Sequence, residues 1–208
     1  MLQYHPAGTT DLTVYDGDQF EEHNAARQIS SSGSKAERLN ELLELQQLKP
    51  ACRDRYMSKS LLTQLRKRDD AGTRLVIAAV DNDATRKMCI DTLLETAGDF
   101  LFVTPGNSDA SEENKDIKGN VLWFGRVADQ EIGINPAMLF PNIEKPQDGI
   151  PKKGSCLENA VSTPQLIAAN ALAASLTLTV IQNFLDDKMP TEASHCFFNG
   201  RTLQLTAN

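Results

Sequence analysis

The stretch DLTVYDGDQFEEHNAARQ, residues 11–28, joins an apolar run to two carboxylates and then to an arginine. The run from Leu12 to Tyr15 predicts a short β-strand that leads into Asp16-Gly17-Asp18. A polar turn then ends at Arg27-Gln28. This order places two acids at the end of a strand, with a cation a few residues further on.

A second apolar run has the same design, because Leu75 to Val80 leads directly into Asp81. In open α/β sheets, ligands bind outside the carboxyl ends of the strands. We therefore expect Asp16 and Asp81 to lie where a ligand would be held. From position alone, Asp16 fits a ribose-binding acid and a loop cap equally well.

Apolar runs alternate with helical patterns, which predicts an α/β fold with a largely parallel sheet and flanking helices in a single domain, residues 1–208. After the first strand, the sequence predicts a helix from Ser34 to about Leu48 with a Ser34–Glu37 capping box, a helical turn over 61–65, a strand over 75–80 and a helix over 86–96. A strand over 99–104 that ends at Pro105-Gly106, a solvated loop over 107–119 and a strand over 120–127 follow. The last predicted elements are an irregular segment over 136–154, a helix over 164–185, and a hairpin over 196–205 with an Asn199-Gly200 turn.

The composition and the cysteine spacing argue against some classes of function. The 208 residues carry a net charge of -7, with 40% apolar and 24% charged residues, so nucleic-acid binding through a broad basic surface is not expected. The first ten residues lack a basic-then-apolar leader pattern. None of the four cysteines forms a C-x-x-C pair, which is typical of a reducing compartment rather than of a zinc site. We expect a cytoplasmic protein.

The segment from Pro164 to Leu185 contains no charged residue and is long enough to span a membrane. It is rich in alanine, however, and includes polar residues such as Asn170 and Gln182. We therefore expect a helix that is buried in a core or a subunit interface, and a homodimer or a dimer with a related chain.

Four motifs in order carry a resemblance to a known family. They are the strand with Asp16-x-Asp18 and the Asn24 turn ending in Arg27-Gln28, the helix start GSKAERL with Gly33 and Lys35, AAVDNDATR with Asp81, Asn82 and Arg86, and the late helix STPQLIAANALAASL. Together they resemble the ThiF/MoeB family and the adenylation domains of ubiquitin-activating enzymes, from about residue 11 to 186. The spacing departs at one point, since one residue fewer separates Gly33 from Lys35.

The resemblance implies a Rossmann-like domain that uses ATP and Mg²⁺ to adenylate the C-terminal carboxylate of a ubiquitin-like or sulfur-carrier protein ending in Gly-Gly. The residues to which it assigns roles are Asp16 at the ribose, Asn24, Arg27 and Lys35 at the triphosphate, Asp18, Gln28 and Asn82 as further nucleotide contacts, and Asp81 at Mg²⁺. An arginine fork and a lysine at a helix N-terminus suit phosphate oxygens, and a carboxylate suits Mg²⁺. No general base is needed, because the attacking carboxylate is already ionised.

Cys156, in KKGSCLEN, is the one cysteine with a case for catalysis. Two preceding lysines could lower its pKa, and some family members pass the acyl group to a cysteine. The family's usual second cysteine is absent nearby. The alternative interpretation of Cys156 is a small buried hydrophobic residue.

The resemblance breaks down before Asp16, because the family's first strand and G-x-G-x-x-G loop should precede it. We therefore expect an incomplete doubly wound domain, through loss of this unit or a start assigned too far downstream, and weak ATP binding by these 208 residues alone. A non-catalytic relative that acts as a scaffold or partner subunit is the main alternative. An NAD-dependent oxidoreductase fits the fold class but not the arginine motifs.

Overall fold

The computed structural model describes residues 12–20, 33–45, 50–67, 73–107, 117–150, 167–190 and 193–207. The described residues up to Met57 form one compact unit, and those from Ser58 onward form a second. Each unit has its own sheet.

The first unit contains strand β1 (Thr13–Tyr15), helix α1 (Lys35–Leu45) and strand β2 (Ala51–Arg53). The two strands run parallel, with Thr13 opposite Ala51 and Tyr15 opposite Arg53. The predicted first strand and helix are confirmed, whereas β2 was not predicted. The predicted helix start is also confirmed, because the Ser34 hydroxyl accepts the Glu37 backbone N–H at 3.3 Å.

The second unit is larger and mixes helices with a six-stranded sheet. Its elements are α2 (Lys59–Lys67), β3 (Arg74–Ile77), α3 (Asp83–Glu95), β4 (Phe100–Asn107), β5 (Lys118–Val127), β6 (Gln130–Gly133), α4 (Pro136–Leu139), α5 (Pro141–Glu144), α6 (Ile167–Leu185), β7 (His195–Asn199) and β8 (Gln204–Ala207). Two short helices, α4 and α5, lie where the prolines predicted irregular structure.

The larger sheet has the order β3-β4-β5-β7-β8, and β6 also pairs with β5. β3 and β4 are parallel, but every described pair beyond β4 is antiparallel. The α/β fold with flanking helices is therefore confirmed, while the prediction of a largely parallel sheet is wrong for this part. The reason is the connection type: β5–β6 and β7–β8 are joined by short turns, which can link only antiparallel strands.

Alternating side chains of β4 and β5 divide the core between the two faces of the sheet. On one face, Leu101, Val103, Val121 and Trp123 pack with Val180 of α6. The opposite face is aromatic: the rings of Phe100, Phe102 and Phe124 meet edge to face at centroid distances of 5.4 and 5.6 Å.

The apolar helix α6 begins at Ile167, within the predicted range, and only one stripe of it is buried. It is the one helix in the described ranges with the length and composition to span a membrane, and 22% of that window is buried. The expectation of a helix buried in a core or a subunit interface is therefore confirmed for the stripe on the sheet, and it stays a prediction for the exposed face.

Candidate functional site

The two acids after β1 form a compact polar cluster with side chains from α1 and from the segment after β2. One Asp16 carboxylate oxygen accepts the Asp18 backbone N–H at 2.9 Å, which closes a tight turn around Gly17. Asp18 in turn accepts the Tyr56 hydroxyl at 2.6 Å and the Lys35 ammonium at 3.0 Å. The structure thus brings three of the predicted residues together and adds Tyr56.

Gly17 is needed in this turn because the Tyr56 ring lies directly against it. A Cβ at Gly17 would meet ring carbons of Tyr56 at 2.7 and 2.8 Å, closer than real Cβ contacts allow. Tyr56 was missed by sequence reasoning. The sequence carried one weak signal, a glycine between two acids, which is compatible with close approach by another group.

The two carboxyls experience opposite electrostatic effects. Burial raises the pKa of Asp16, and this outweighs the Asp18 N–H and the Lys35 charge, which lower it. Burial also raises the pKa of Asp18, but hydrogen bonds from Tyr56 and Lys35, together with the Lys35 charge, outweigh it and leave the pKa below its ordinary value. At neutral pH the cluster therefore holds Asp18 as an anion paired with a cation.

Lys35 is the first residue of α1, as predicted. Its backbone N–H donates to the Asp18 carbonyl at 3.1 Å, while its ammonium donates to the Asp18 carboxylate. Gly33, with φ +90°, makes the turn that precedes it. The Lys35 side chain is thus held by Asp18 in this structure, at a helix N-terminus where anions are favoured.

Asp81 and Asn82 lie between β3 and α3 in the second unit. Asn82 caps α3, because its side-chain oxygen accepts the Thr85 N–H at 2.8 Å. Its amide donates only weakly to Asp81, at 3.4 Å. Asp81 is exposed, so its carboxylate is accessible to a cation. Asn82 therefore has a structural role at the start of the helix, whatever else it contacts.

Arg86 anchors the same corner. Its guanidinium donates to Thr104 at 3.1 Å and to Asp83 at 2.8 Å, and it also contacts the Val80 carbonyl. Arg86 is therefore a structural residue that bonds back to the turn before α3.

Asp148 was not predicted to take part in this corner. Its two carboxylate oxygens accept the backbone N–H groups of Asp83 and Ala84 at 2.7 and 2.8 Å. These are orphan donors at the first turn of a helix, so Asp148 acts as a second cap supplied from 64 and 65 residues away. No short-range sequence pattern could have indicated it.

Four predicted site residues, Asn24, Arg27, Gln28 and Cys156, lie outside the described residues. Of the other cysteines, Cys89 is buried, and burial raises its pKa to about 12. Cys89 is therefore a small buried hydrophobic residue.

Within the described ranges, no cluster of three or more His, Cys, Asp or Glu side chains could hold a metal ion. Mg²⁺ does not require such a cluster when it is bound with a nucleotide, because one or two carboxylates plus phosphate oxygens suffice. The exposed Asp81 carboxylate fits that mode of binding. It does not fit an all-protein metal site.

No protein-family model and no curated protein matches the sequence. Among solved structures, E. coli MccB in complex with succinimide is similar over 95% of this chain, with 14% identity and a TM-score of 0.50. E. coli MccB with MccA-N7isoASN gives 12% identity over 95% of the chain and a TM-score of 0.49. The chain spans about half of the matched structures, 56% of their length. The first likeness shows a Rossmann-like fold similar to that of MccB.

Proposed function

We propose that this chain carries the nucleotide site of an ATP-dependent adenylating enzyme of the ThiF/MoeB type, which activates the C-terminal carboxylate of a peptide or small carrier protein. The single observation behind this proposal is the cluster of Asp16, Asp18 and Lys35 at the junction of β1 and α1. The fold is similar to that of E. coli MccB over 95% of this chain.

The proposed roles follow from the chemistry of each side chain. Asp16 would accept ribose hydroxyls, since its second oxygen is not used by the Asp18 N–H. Lys35, with Asn24, Arg27 and Gln28, would face the phosphates. Asp18 would hold the Lys35 ammonium at the start of α1. Residues at a helix N-terminus combine a fixed positive dipole with a mobile cation, which suits a polyanion.

Asp81 is the residue that would hold Mg²⁺, and Asn82 and Arg86 would keep it in place by fixing the start of α3. When bound, the metal supplies neutralisation of phosphate charge. The reaction itself forms a bond between a substrate carboxylate oxygen and the α-phosphorus, and it breaks the bond from that phosphorus to pyrophosphate. Positioning and charge stabilisation would provide most of the rate enhancement.

The finer part of the proposal concerns the substrate. A ubiquitin-like or sulfur-carrier protein that ends in Gly-Gly fits the motif resemblance, because the resembled family adenylates such C-termini. Cys156 stays a candidate acceptor for the acyl group. Pyrophosphate exchange that depends on a Gly-Gly carrier, and not on the same carrier lacking its last two residues, would support this assignment.

A non-catalytic scaffold is the second candidate, and one observation favours it. The Lys35 ammonium and the Tyr56 hydroxyl already satisfy Asp18, so this corner of the chain is stable without a nucleotide. Such a protein would show no pyrophosphate exchange with any carrier.

The test compares two lysines in matched positions. Lys35 and Lys59 each begin a helix, and each pairs with an acid, Asp18 at 3.0 Å and Glu95 at 2.7 Å. If the proposal is correct, calorimetry should detect ATP but not NAD binding, and Lys35→Met should weaken ATP binding at least tenfold while Lys59→Met leaves it unchanged. Equal effects of the two variants would argue against a nucleotide site at α1, and NAD binding would argue for an oxidoreductase.

A further inference from the structure

The acid proposed for Mg²⁺, Asp81, lies at the start of helix α3, where the helix itself disfavours a cation. The helix begins at Asp83, two residues later. The N-terminus of a helix carries the equivalent of roughly half a positive elementary charge, which attracts anions and repels cations. A metal ion held by Asp81 is therefore favoured only if another group cancels this positive potential.

Asp148 supplies a negative charge at this end of the helix. Its two carboxylate oxygens accept the N–H groups of Asp83 and Ala84 at 2.7 and 2.8 Å. One full negative charge exceeds the half charge of the helix dipole, so the two together are net negative. The carboxylate of Asp83 itself is paired with Arg86 at 2.8 Å, and their side chains are only 20% and 13% exposed. This ion pair adds no net charge, so the charge of Asp148 decides the sign.

Hydrogen bonding alone does not require a charged group at this position. The next N–H of α3, from Thr85, is accepted by the neutral side chain of Asn82 at 2.8 Å. A neutral Asn or Ser caps a helix about as well as Asp does. What the carboxylate of Asp148 adds is an electrostatic potential, and Asp81 lies within its range. The N–H of Asp83 is two residues from Asp81, and two residues of chain span at most about 7 Å, which is less than the Debye length of about 10 Å at 0.1 M salt.

We propose that Asp148 makes the start of α3 accept a cation, so that Asp81 can bind Mg²⁺ together with a nucleotide. This inference rests on the metal role proposed above for Asp81, and it adds a residue that the motif does not contain. Asp148 acts on the metal site through its charge, because both of its carboxylate oxygens already bind backbone N–H groups.

The charge of Asp148 has opposite consequences for free ATP and for ATP with its metal. Free ATP is a polyanion, which the carboxylate of Asp148 repels, whereas Mg²⁺ is attracted. Removing this charge should therefore leave metal-free ATP binding unchanged or stronger, and it should reduce the gain in affinity that Mg²⁺ produces. The loss of a purely structural cap would instead weaken both kinds of binding together, because the whole corner would loosen.

Calorimetric titration of the full chain with ATP, in excess EDTA and in excess Mg²⁺, tests the proposal. The ratio of the two dissociation constants is the metal enhancement. Asp81→Asn should abolish the enhancement, and Asp148→Asn should reduce it by about threefold or more while metal-free binding is not weakened. Asn keeps the size of the side chain and one capping oxygen, so the change removes the charge with little effect on the fold.

A matched control removes the same charge from the other end of α3. Glu95, the last residue of the helix, is 57% exposed and lies about 18 Å from its start. Glu95→Gln should leave the metal enhancement unchanged, because this distance exceeds the Debye length. Asp148→Ser, a second neutral cap, should behave like Asp148→Asn. The double variant of Asp81→Asn and Asp148→Asn should match Asp81→Asn alone, and urea unfolding checks that every variant is folded.

The outcomes separate this inference from the proposed function. If Asp81→Asn abolishes the metal enhancement but Asp148→Asn and Asp148→Ser leave it intact, the inference is wrong and the proposed function stands. Equal weakening of ATP binding with and without Mg²⁺ in the Asp148 variants would give Asp148 a structural role only and would also overturn the inference. A wild type that binds no ATP, or that gains nothing from Mg²⁺, would overturn the metal role of Asp81 and this inference with it.

Discussion

Replacing Tyr56 by phenylalanine tests whether the acidic cluster after β1 is held as the structure indicates. The change removes the hydroxyl that donates to the Asp18 carboxylate at 2.6 Å and keeps the ring that lies against Gly17. Any effect therefore comes from the hydrogen bond and not from packing.

The expected magnitude follows from the exposure of Asp18. Hydrogen bonds to charged groups contribute about 1.5–3 kcal/mol when they are well shielded from water. The Asp18 side chain is 43% exposed, so solvent screening reduces this contribution. We expect Tyr56→Phe to lower the free energy of unfolding at pH 7 by about 1 kcal/mol and to raise the pKa of Asp18, because the carboxylate loses one of the hydrogen bonds that stabilise it.

The direction of the Asp18 pKa shift determines how the destabilisation by Tyr56→Phe varies with pH. Because the pKa of Asp18 is lowered in the folded protein, its contribution to stability is present above the unfolded value of about 3.9 and is lost as pH falls through the folded value. The difference between wild type and Tyr56→Phe should therefore be present at neutral pH and shrink as the pH falls through the folded pKa of Asp18.

Urea unfolding at several pH values and a carbon-detected NMR titration of the Asp18 carboxyl provide the assay. Tyr15→Phe is the matched control, because within the part of the chain that the structure describes the Tyr15 ring contacts Arg55 and its hydroxyl has no hydrogen bond. A destabilisation of equal size at pH 2 and pH 7, or an unchanged Asp18 pKa in Tyr56→Phe, would refute the reasoning.

Three further predictions concern the second unit. Asp81→Ala should abolish pyrophosphate exchange while changing the free energy of unfolding by less than about 0.5 kcal/mol, because an exposed acid contributes little to packing; retained exchange would contradict its metal role. Asp148→Ala should cost about 1 kcal/mol by removing the cap on the Asp83 and Ala84 N–H groups, with Asp148→Asn costing less, as urea unfolding can measure. Gly125→Ala should cost about 3 kcal/mol or prevent folding, because a Cβ there would lie 2.3 Å from the Phe100 carbonyl oxygen, whereas Gly149→Ala meets nothing within 4 Å and should be neutral in the same assay.

The strands and helices could largely be predicted from sequence because their apolar periods are local. The sequence-based predictions failed where the pairing between strands determines the structure. Pro105 predicted the end of β4, yet the strand continues to Asn107 opposite Gly119. The described part of β3 pairs with β4 only as far as Val103. At Pro105, this edge of β4 therefore has no strand partner among the described residues. The missing N–H of Pro105 then removes no hydrogen bond between strands.

The hairpin after α6 is a second case in which the sequence predicted an element but not its strand pairing. Its existence was predicted, but Asn199-Gly200 does not form a two-residue turn, because Asn199 pairs with Gln204 across a four-residue loop. The Asn199 side chain accepts the N–H groups of Arg201 and Thr202 at 3.1 and 3.3 Å. An asparagine side chain can organise a longer loop as readily as a tight one, so the dipeptide alone did not fix the turn type.

The residues of the candidate site could be predicted from the sequence, but the contacts between them could not. The motif order indicated Asp18, Lys35 and Asp81. It did not indicate Tyr56, which donates to Asp18 from 38 residues away, or Asp148, which accepts the Ala84 N–H from 64 residues away. The pairing of Lys35 with Asp18 bears directly on function. Ion pairs that are partly exposed contribute only about 0–1 kcal/mol, so a triphosphate with several charges can compete for the Lys35 ammonium at little cost. Asp18 would then keep its Tyr56 hydrogen bond, which still stabilises the carboxylate. The ion pair seen here is therefore compatible with a nucleotide site. The ratio of the ATP affinities of Lys35→Met and Lys59→Met measures how much the Lys35 ammonium, which also pairs with Asp18, contributes to ATP binding.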